Sequence, residues 1–405
     1  MAKRKILFIG LNYAPEPIGI GPYSAGLMSA LARRGHQVHA VVGQPYYPDW
    51  KMHSLFRGRW RTATEEGVKV TRCPHYIPST PTGRRRLVHH LSFASSCYPA
   101  ARLARRELRP DLVFTVAPSL IAAPVAARMA RRSKVPLWLH IQDFEVGAAL
   151  ATGLLDSGAV GDAALQFERR VLSAADVVST ISKPMQRLLI DKGVPPERVR
   201  ELRNWANHDR ARGRRDFRAE WQLGGRFVAL YSGNIANKQG LDIVIEAAKV
   251  LAHRPDIHFV ICGEGPNRTR LQELASGLEN LTFHELQPSE DVGDLLRFAD
   301  LHLLPQVTGA KDLMLPSKLG NMLASGRPTI ATTSLHSGLA EELDGAGAIV
   351  PPGDAQALAW AIERLAGDRE ACAAMGQRAR EVARLRWSKE TVVDAFENTM
   401  EELLA

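Results

Sequence analysis

Several short stretches of this chain combine residue types and spacings suited to holding an anion. Residues 309–330 read GAKDLMLPSKLGNMLASGRPTI: a loop, a proline-started helix, a glycine stop and a return to a strand. Pro316 has no N–H to lose at the first position of a helix. Ser317 and Lys318 are therefore expected to follow with free backbone amides at the positive end of the helix dipole, and a phosphate binds to such a seat through those amides. Leu315, Leu319, Met322 and Leu323 recur on one face at helical spacing, Gly326 is placed to close the C-terminus, and Ser317 and Asn321 fall on the opposite, polar face. An ordinary capped helix of an α/β protein reads the same way, so this seat gains meaning only beside other features.

Those features recur where apolar runs end. Segment 227–231 runs into Ser232-Gly233-Asn234-Ile235-Ala236-Asn237-Lys238-Gln239-Gly240, with a helical stretch at 241–251 behind it. Gly233 permits close backbone approach and Lys238 can bring an ammonium to a phosphate, although a lysine ahead of a helix is usually just solvated. The turn Cys262-Gly263-Glu264-Gly265-Pro266 offers two glycines to a flat base or a phosphate, and segment 281–283 opens into His284-Glu285-Leu286, whose main chain could read a base edge. In the N-terminal half, segment 6–9 opens into PEPIGIGPYS, where Gly19 and Gly21 allow backbone approach before a helix that begins near Ser24. The third glycine of GxGxxG is missing, which weakens a dinucleotide reading and leaves turn geometry as the alternative. Beyond the strand at 137–139 come His140, Gln142, Asp143 and Glu145, a polar cluster at the lip of the same sheet. Asp143-Phe144-Glu145 has the outline of a metal-binding acidic pair, but no second acidic cluster accompanies it, and a salt bridge to an arginine explains it equally well.

The elements that must position these turns are strands of parallel sheets covered by helices, because short aliphatic runs alternate with amphipathic stretches. One series comprises 6–9, 38–42, 112–115, 137–139 and 177–180. A second comprises 227–231, 257–261, 281–283, 301–304, 329–330 and 349–350. Between them, 207–221 is charged and strand-poor, with Arg210, Arg212, Arg214 and Arg215. The expected organisation is one α/β domain over 1–206, a second over 207–386, and a final helix within 387–405 that crosses back toward the first domain. Two doubly wound lobes facing across a cleft place the ligand at the C-terminal ends of both sheets.

Composition bounds the function. The 405 residues, 45% of them hydrophobic, suit two or three domains with their own cores. The most apolar stretch, 112–127, is broken by Pro118 and Pro124 and closed by Arg128, short of the roughly 20 residues of a membrane span. Lys3-Arg4-Lys5 mimics the start of a signal peptide, but the apolar run behind it is too short and reads as a first buried strand. Cys73, Cys97, Cys262 and Cys372 form no CxxC and have no histidine at metal spacing, which implies a reducing compartment and no structural zinc. The net charge of +9 is uneven: residues 84–134 hold eleven Arg or Lys against Glu107 and Asp111, and Arg102, Arg105, Arg106 and Arg109 crowd one helix. Such a face suits an anionic membrane surface or plain solvation. Nucleic acid is disfavoured, since no aromatic platform, zinc finger or RNP-like motif stands beside the arginines.

In order along nearly the whole chain, PEPIGIGPYSAGL, LHIQDFE, GNIANKQG, ICGEGP and LMLPSKLGNMLASGRP resemble the retaining GT-B glycosyltransferases of family four. Within that family the resemblance is to the branch serving colanic-acid and related exopolysaccharide or O-antigen assembly. It implies two Rossmann-like domains, acceptor-binding over 1–206 and donor-binding over 207–386, and retaining, metal-independent transfer of a hexosyl or deoxyhexosyl group. The donor would be a nucleotide sugar, used as substrate with no bound cofactor, and the acceptor a glycan or a polyprenyl-diphosphate-linked sugar. The implied location is cytoplasmic, on the inner face of the plasma membrane. By the resemblance, Gly19 and Gly21 lie near the donor diphosphate and acceptor, His140 near the transferred sugar, and Asp143 and Glu145 toward the acceptor. Lys238 sits on the diphosphate with Gly233 and Asn234 beside it, Gly263 and Gly265 adjoin the nucleotide, and Leu286 is near the base. The family usually carries two glutamates eight residues apart; here those positions are Leu313 and Asn321, and Asp312 is the only acid at hand. Asn234 stands where many members carry a phosphate-binding arginine. Ser317 and Lys318 are then expected to take over part of the diphosphate binding, with Leu315, Pro316 and Asn321 also on the donor and His140, Lys238 and Asp312 as the catalytic set. A GT-B-like sugar-nucleotide epimerase, which needs no acceptor, is the alternative.

Overall fold

The computed structural model describes residues 2–52, 54–151, 158–206, 213–307 and 315–405. The chain forms two compact units, Met1–Arg203 with Val393–Ala405, and Asn204–Val392.

The first unit is built on β1 (Lys5–Gly10), β2 (Gln37–Gly43), β3 (Arg61–Glu65), β4 (Val68–Cys73), β5 (Leu112–Ala117), β6 (Leu137–Ile141), β7 (Val177–Thr180) and β8 (Val199–Glu201). Their order is β3-β4-β2-β1-β5-β6-β7-β8. Every neighbouring pair is parallel except β3 with β4, which is antiparallel. Central strands of a sheet covered on both faces must be apolar throughout, and Ile6, Leu7, Phe8 and Ile9 of β1 are fully buried. Helices α1 (Gly21–Arg33), α2 (Gly83–Leu108), α3 (Ala123–Ser133) and α4 (Glu145–Ala151) belong to this unit. Phe93, Cys97, Ala101 and Ala104 of α2 join Leu7, Ile9 and Val113 in its main core. The last helix, Lys389–Leu404, lays Phe396 flat on Trp138 of β6, ring centroids 4.4 Å apart and planes 9° from parallel. Around that stack Arg34 pairs with Asp394 at 2.6 Å, and His36 Nε2 lies 2.8 Å from Glu397 Oε1.

The second unit is built on β9 (Phe227–Ser232), β10 (Ile257–Cys262), β11 (Leu281–His284), β12 (Leu301–Leu304), β13 (Thr329–Thr332) and β14 (Gly347–Val350), in the order β11-β10-β9-β12-β13-β14 and parallel throughout. Among its parallel strands each sheet has one place where strand order reverses. In the first it is between β1 and β5, and in the second between β9 and β12. Connections leave a switch point on opposite faces, so the ends of its two strands frame a crevice that loops do not close. The loop that follows β1 carries Gly19 and leads into Gly21 at the start of α1, and the loop that follows β9 carries Gly233 and Asn234.

Candidate functional site

In the second unit the strand-end turns are fastened to one another. The Gly233 N–H donates to Cys262 O at 3.0 Å, the Gly263 N–H to His284 O at 3.0 Å, and the Ile235 N–H to Glu264 O at 2.8 Å. The Tyr231 hydroxyl donates to Asn234 O at 2.6 Å. A Cβ on Gly263 would stand 1.9 Å from Gly233 O, and one on Gly265 would stand 2.2 Å from Ile235 O and 2.8 Å from Asn234 Oδ1. These two glycines thus let one turn lie against the next. Arg268, which begins the helix Arg268–Leu274, donates to Gly263 O and, at 3.0 Å, to His284 O. Sequence reading passed over Arg268, whose only signal was an arginine just behind a glycine turn. Leu286 is 59% exposed beside Glu285, whose carbonyl accepts from the Cys262 thiol.

Lys318 reaches this same switch point from a distant part of the chain. Its Nζ donates to Ser232 O, the last residue of β9, at 3.2 Å and lies 3.9 Å from the centroid of the Tyr231 ring. A Cβ on Gly233, whose φ is +139°, would lie 3.4 Å from that ammonium. Burial pushes the Lys318 ammonium down to about 7, because one carbonyl and a ring face replace less hydration than an ion loses.

The turn that carries Lys318 corrects the sequence expectation. Pro316 is not the first helical residue: the helix is Leu319–Ser325, with Lys318 as its N-cap. The Leu319 N–H closes back on Pro316 O at 2.9 Å, so a tight turn precedes the helix and Ser317 and Lys318 lie within it. Neither of their amides has a partner among the described residues. Leu315, Leu319, Met322 and Leu323 are buried on one face, Ser317 is exposed and Asn321 half-buried on the other, and Gly326 caps the C-terminus at φ +74°. Asp312 and Leu313 lie outside the described residues, as does the side chain of Lys238, whose backbone forms the 3-10 turn Asn237–Gln239.

In the first unit Gly19 has φ +73°, a conformation that favours glycine. Helix α1 starts at Gly21 rather than near Ser24. A Cβ there would meet Glu16 Cβ and Oε2, both at 3.1 Å, so this glycine makes room for a carboxylate. Glu16 was not singled out from sequence. It is buried, accepts from the Tyr46 and Tyr47 amides at 3.1 and 3.2 Å and from Asn12 Nδ2 at 2.9 Å, and ties the loop after β1 to the end of β2. Burial raises its carboxyl above the usual range while those three donors oppose the rise.

His140 is a residue of β6, not of the loop beyond it. Its Nδ1 lies 2.9 Å from Ser179 Oγ and its Nε2 3.4 Å from Gln142 Oε1. Burial lowers it to about 4, so the ring is neutral at physiological pH. Glu145 pairs with backbone, not with an arginine. Its Oε2 accepts from the Ser119 and Leu120 amides at 3.0 and 2.8 Å, which binds the end of β6 to the turn after β5, and its Oε1 lies 3.7 Å from His90 Nε2. Asp143 is exposed. No group of three or more His, Cys, Asp or Glu suited to a metal occurs among the described residues, and no described helix is long and apolar enough to cross a membrane.

Two units on largely parallel sheets, with glycine turns and a half-buried lysine at a switch point, have the GT-B architecture, and comparison with known proteins supplies the class. Residues 19–205 match the glycosyl transferase 4-like domain and residues 213–382 the glycosyl transferases group 1 domain. The chain belongs to this glycosyltransferase family. It is 39% identical over 412 residues, covering 97% of its own length and 99% of the other chain, to the Escherichia coli (strain K12) protein named Putative colanic acid biosynthesis glycosyl transferase WcaI. Among solved structures it is similar to HepE of Anabaena in complex with UDP (TM-score 0.70, 18% identity, 98% and 100% of the two chains). It is also similar to sucrose-phosphate synthase of Thermosynechococcus elongatus (TM-score 0.69, 19% identity, 99% of each). None of these three is named as an epimerase, and the epimerase alternative finds no support.

Proposed function

We propose that this chain is a retaining, metal-independent glycosyltransferase of exopolysaccharide or O-antigen assembly. It moves a hexosyl or deoxyhexosyl group from a nucleotide sugar to a glycan or polyprenyl-diphosphate-linked sugar at the cytoplasmic face of the membrane. The observation that carries this reading is the Lys318 ammonium at the β9 end, beside Gly233 and at the switch point of the donor-type sheet. Full-length similarity to WcaI supports the pathway class, and the UDP and UDP-glucose complexes of HepE support a nucleotide-sugar donor.

Transfer breaks the bond from the anomeric carbon to the diphosphate oxygen and forms one to the acceptor oxygen. The departing phosphate oxygen takes the acceptor proton, so no protein nucleophile is required. Negative charge grows on the diphosphate as the bond breaks, and donors fixed at that position lower the barrier more than they stabilise the substrate. Lys318, Lys238 and the Ser317 and Lys318 amides take that role, with Asn234, Gly233 and Asn321 lining the donor. Gly263, Gly265 and Leu286 take the nucleotide side, Gly19 and Gly21 the donor diphosphate and acceptor, His140 the transferred sugar, Asp143 and Glu145 the acceptor side, and Asp312 the sugar hydroxyls. Burial lowers His140 to about 4, so the neutral ring is a weak base that can hydrogen-bond a sugar hydroxyl and leaves the acceptor proton to the departing phosphate oxygen.

A thermal-shift panel of UDP-, GDP- and ADP-sugars tests the donor half, since a ligand at about 100 times its Kd stabilises by about 2.7 kcal/mol. The reading expects one base to stand out and fails if none shifts the transition. Proton NMR of the product then reads the anomeric configuration, and inversion would overturn the retaining assignment.

A further inference from the structure

The turn that leaves β11, His284 to Gln287, is fastened at both ends, and one residue inside it is left open. The His284 carbonyl accepts from the Gly263 N–H and from Arg268 Nη1, each at 3.0 Å. The Glu285 carbonyl accepts from the Cys262 thiol at 3.1 Å and from Gln287 Nε2 at 2.8 Å. Leu286 lies between Glu285 and Gln287, and neither its N–H nor its C=O has a partner among the described residues. An exposed loop at the rim of a sheet is ordinarily among the more mobile parts of a protein, so three fixed residues around one open one need a reason.

The fastening is completed by a distant segment, residues 213–221. Asp294 accepts from the Gly213 and Arg214 amides at 2.8 and 3.0 Å, which pins the start of this segment. Arg215 then donates through Nη1 to Gln287 Oε1 at 2.6 Å. The Gln287 amide therefore has one orientation: its oxygen faces the guanidinium, which can only donate, and its NH2 faces the Glu285 carbonyl, which can only accept. Arg215 is itself held by Glu220, with Nε 3.1 Å from Oε1, and its guanidinium lies 4.5 Å from the centroid of the Phe217 ring. Asp216 caps the single helical turn Phe217–Glu220. Beyond that turn Trp221 stacks on the His284 imidazole, ring centroids 3.7 Å apart and planes 12° from parallel, while Phe217 and Phe298 pack around the indole at 4.7 and 5.2 Å. His284 Nε2 lies 3.2 Å from Thr282 Oγ1, which fixes the imidazole from its edge as well.

We propose that residues 213–221 form a positioning strap for the nucleotide base: Arg215 acting through Gln287, and Trp221 acting through His284, hold the open N–H and C=O of Leu286 as a preset donor and acceptor for the edge of the base. The inference rests on the proposed donor site and adds to it positioning residues that do not touch the ligand. The hydrogen-bonding edges of uracil, guanine and adenine each present a donor beside an acceptor, which one N–H and one C=O at fixed spacing can match. Ordering that pair on folding rather than on binding removes a cost from the binding step. Loss of the strap therefore weakens the hold on the base and leaves the diphosphate seat at Lys318 as it was.

The test compares the Kd values of UDP, GDP and ADP with that of inorganic pyrophosphate, which has no base, in the full chain and in Arg215→Met, Gln287→Met and Trp221→Leu. Each variant should weaken the nucleoside diphosphate that wild type binds most tightly by about tenfold and leave pyrophosphate unchanged. Arg215→Met combined with Gln287→Met should be no weaker than either alone, because both break the same chain of bonds. In turnover the donor KM should rise with kcat retained, since the base is held alike in the ground and transition states. Arg218→Met is the control: Arg218 belongs to the same segment but pairs with Asp300, so its loss should lower the thermal transition and change neither Kd. Variants that bind the nucleoside diphosphate like wild type overturn the proposal, and so does an equal loss of pyrophosphate binding, which would show that the strap only stabilises the sheet. A wild type that binds no nucleoside diphosphate removes the transferase reading itself, whereas wild-type binding that all three variants keep removes this inference alone.

Discussion

Lys318→Met removes an ammonium and keeps an unbranched apolar stem, so it isolates the charge. In the free protein burial holds this ammonium at about 7, against an ordinary lysine value near 10.4. The gap corresponds to roughly 4–5 kcal/mol between the charged and neutral forms. A phosphate about 4 Å away, at the effective dielectric of a partly buried pair, returns about 4 kcal/mol to the charged form. Donor binding should therefore lift the group back to about 10. At pH 8 the free side chain carries about one tenth of a proton and the bound one nearly a whole proton, so binding takes up about 0.9 proton; at pH 6 uptake falls to about 0.1. The diphosphate of a sugar nucleotide is esterified at both ends and does not titrate in this range. Calorimetric titration with the donor selected by thermal shift, at pH 8 in two buffers of different ionisation enthalpy, reads the number directly. The sign for the free protein follows separately. A lysine depressed by folding carries its full burial penalty below pH 7, and the penalty is relieved as pH rises toward 10.4. Lys318→Met should accordingly raise the melting temperature at pH 6 more than at pH 9.5. Equal proton uptake by wild type and variant, or none by wild type at pH 8, would refute the assignment of Lys318 to the diphosphate.

Lys238→Ala should lower turnover at saturating donor by about 10²–10³, the loss typical of one preorganised electrostatic partner; unchanged turnover removes it from the reaction. Gly263→Ala forces a Cβ to 1.9 Å from Gly233 O and should cost about 2 kcal/mol or more through displaced backbone, seen as a lower urea midpoint. Phe396→Ala empties the stack on Trp138 and should cost about 3–5 kcal/mol, with unfolding followed by tryptophan fluorescence.

The architecture was legible wherever a strand lies at the centre of a parallel sheet. All six strands of the second sheet overlap the apolar runs; burial on both faces keeps β9, β10 and β12 mostly apolar, while the half-buried edge strands β11 (LTFH) and β14 (GAIV) stand out through Leu281, Phe283, Ile349 and Val350. At the edge of the first sheet that logic fails. β3 is RTATE, largely exposed, and β4 carries Arg72 inward, where it is held by Ala14 O at 2.6 Å and by Glu65 at 2.7 Å. A buried arginine with these partners is indistinguishable in sequence from a loop arginine. His140 was set one element too late for a similar reason: a neutral imidazole bonded to Ser179 is acceptable inside a strand, but a histidine read alone signals an end. The contacts that assemble each crevice were not readable, since Glu145 with Ser119 and Lys318 with Ser232 join residues 26 and 86 positions apart.

The departures from the family pattern become coherent when their charges are considered together. By resemblance, position 234 exchanges an arginine for Asn234, and positions 313 and 321 exchange glutamates for Leu313 and Asn321. By that resemblance one fixed cation and two fixed anions are absent. Carboxylates near a diphosphate repel it, and a cation such as arginine offsets that repulsion; with the carboxylates gone, less permanent positive charge is needed to hold the same ligand. In the proposed reading Lys318, which rests on Ser232 O and the Tyr231 face, meets that smaller demand. Restoring the family pattern in part separates the two schemes. Asn321→Glu alone should weaken sugar-nucleotide binding by re-creating a carboxylate without its arginine, and Asn234→Arg added to it should recover the loss. Binding that is tighter in Asn321→Glu alone would show that the replaced positions act through sugar contacts rather than through charge.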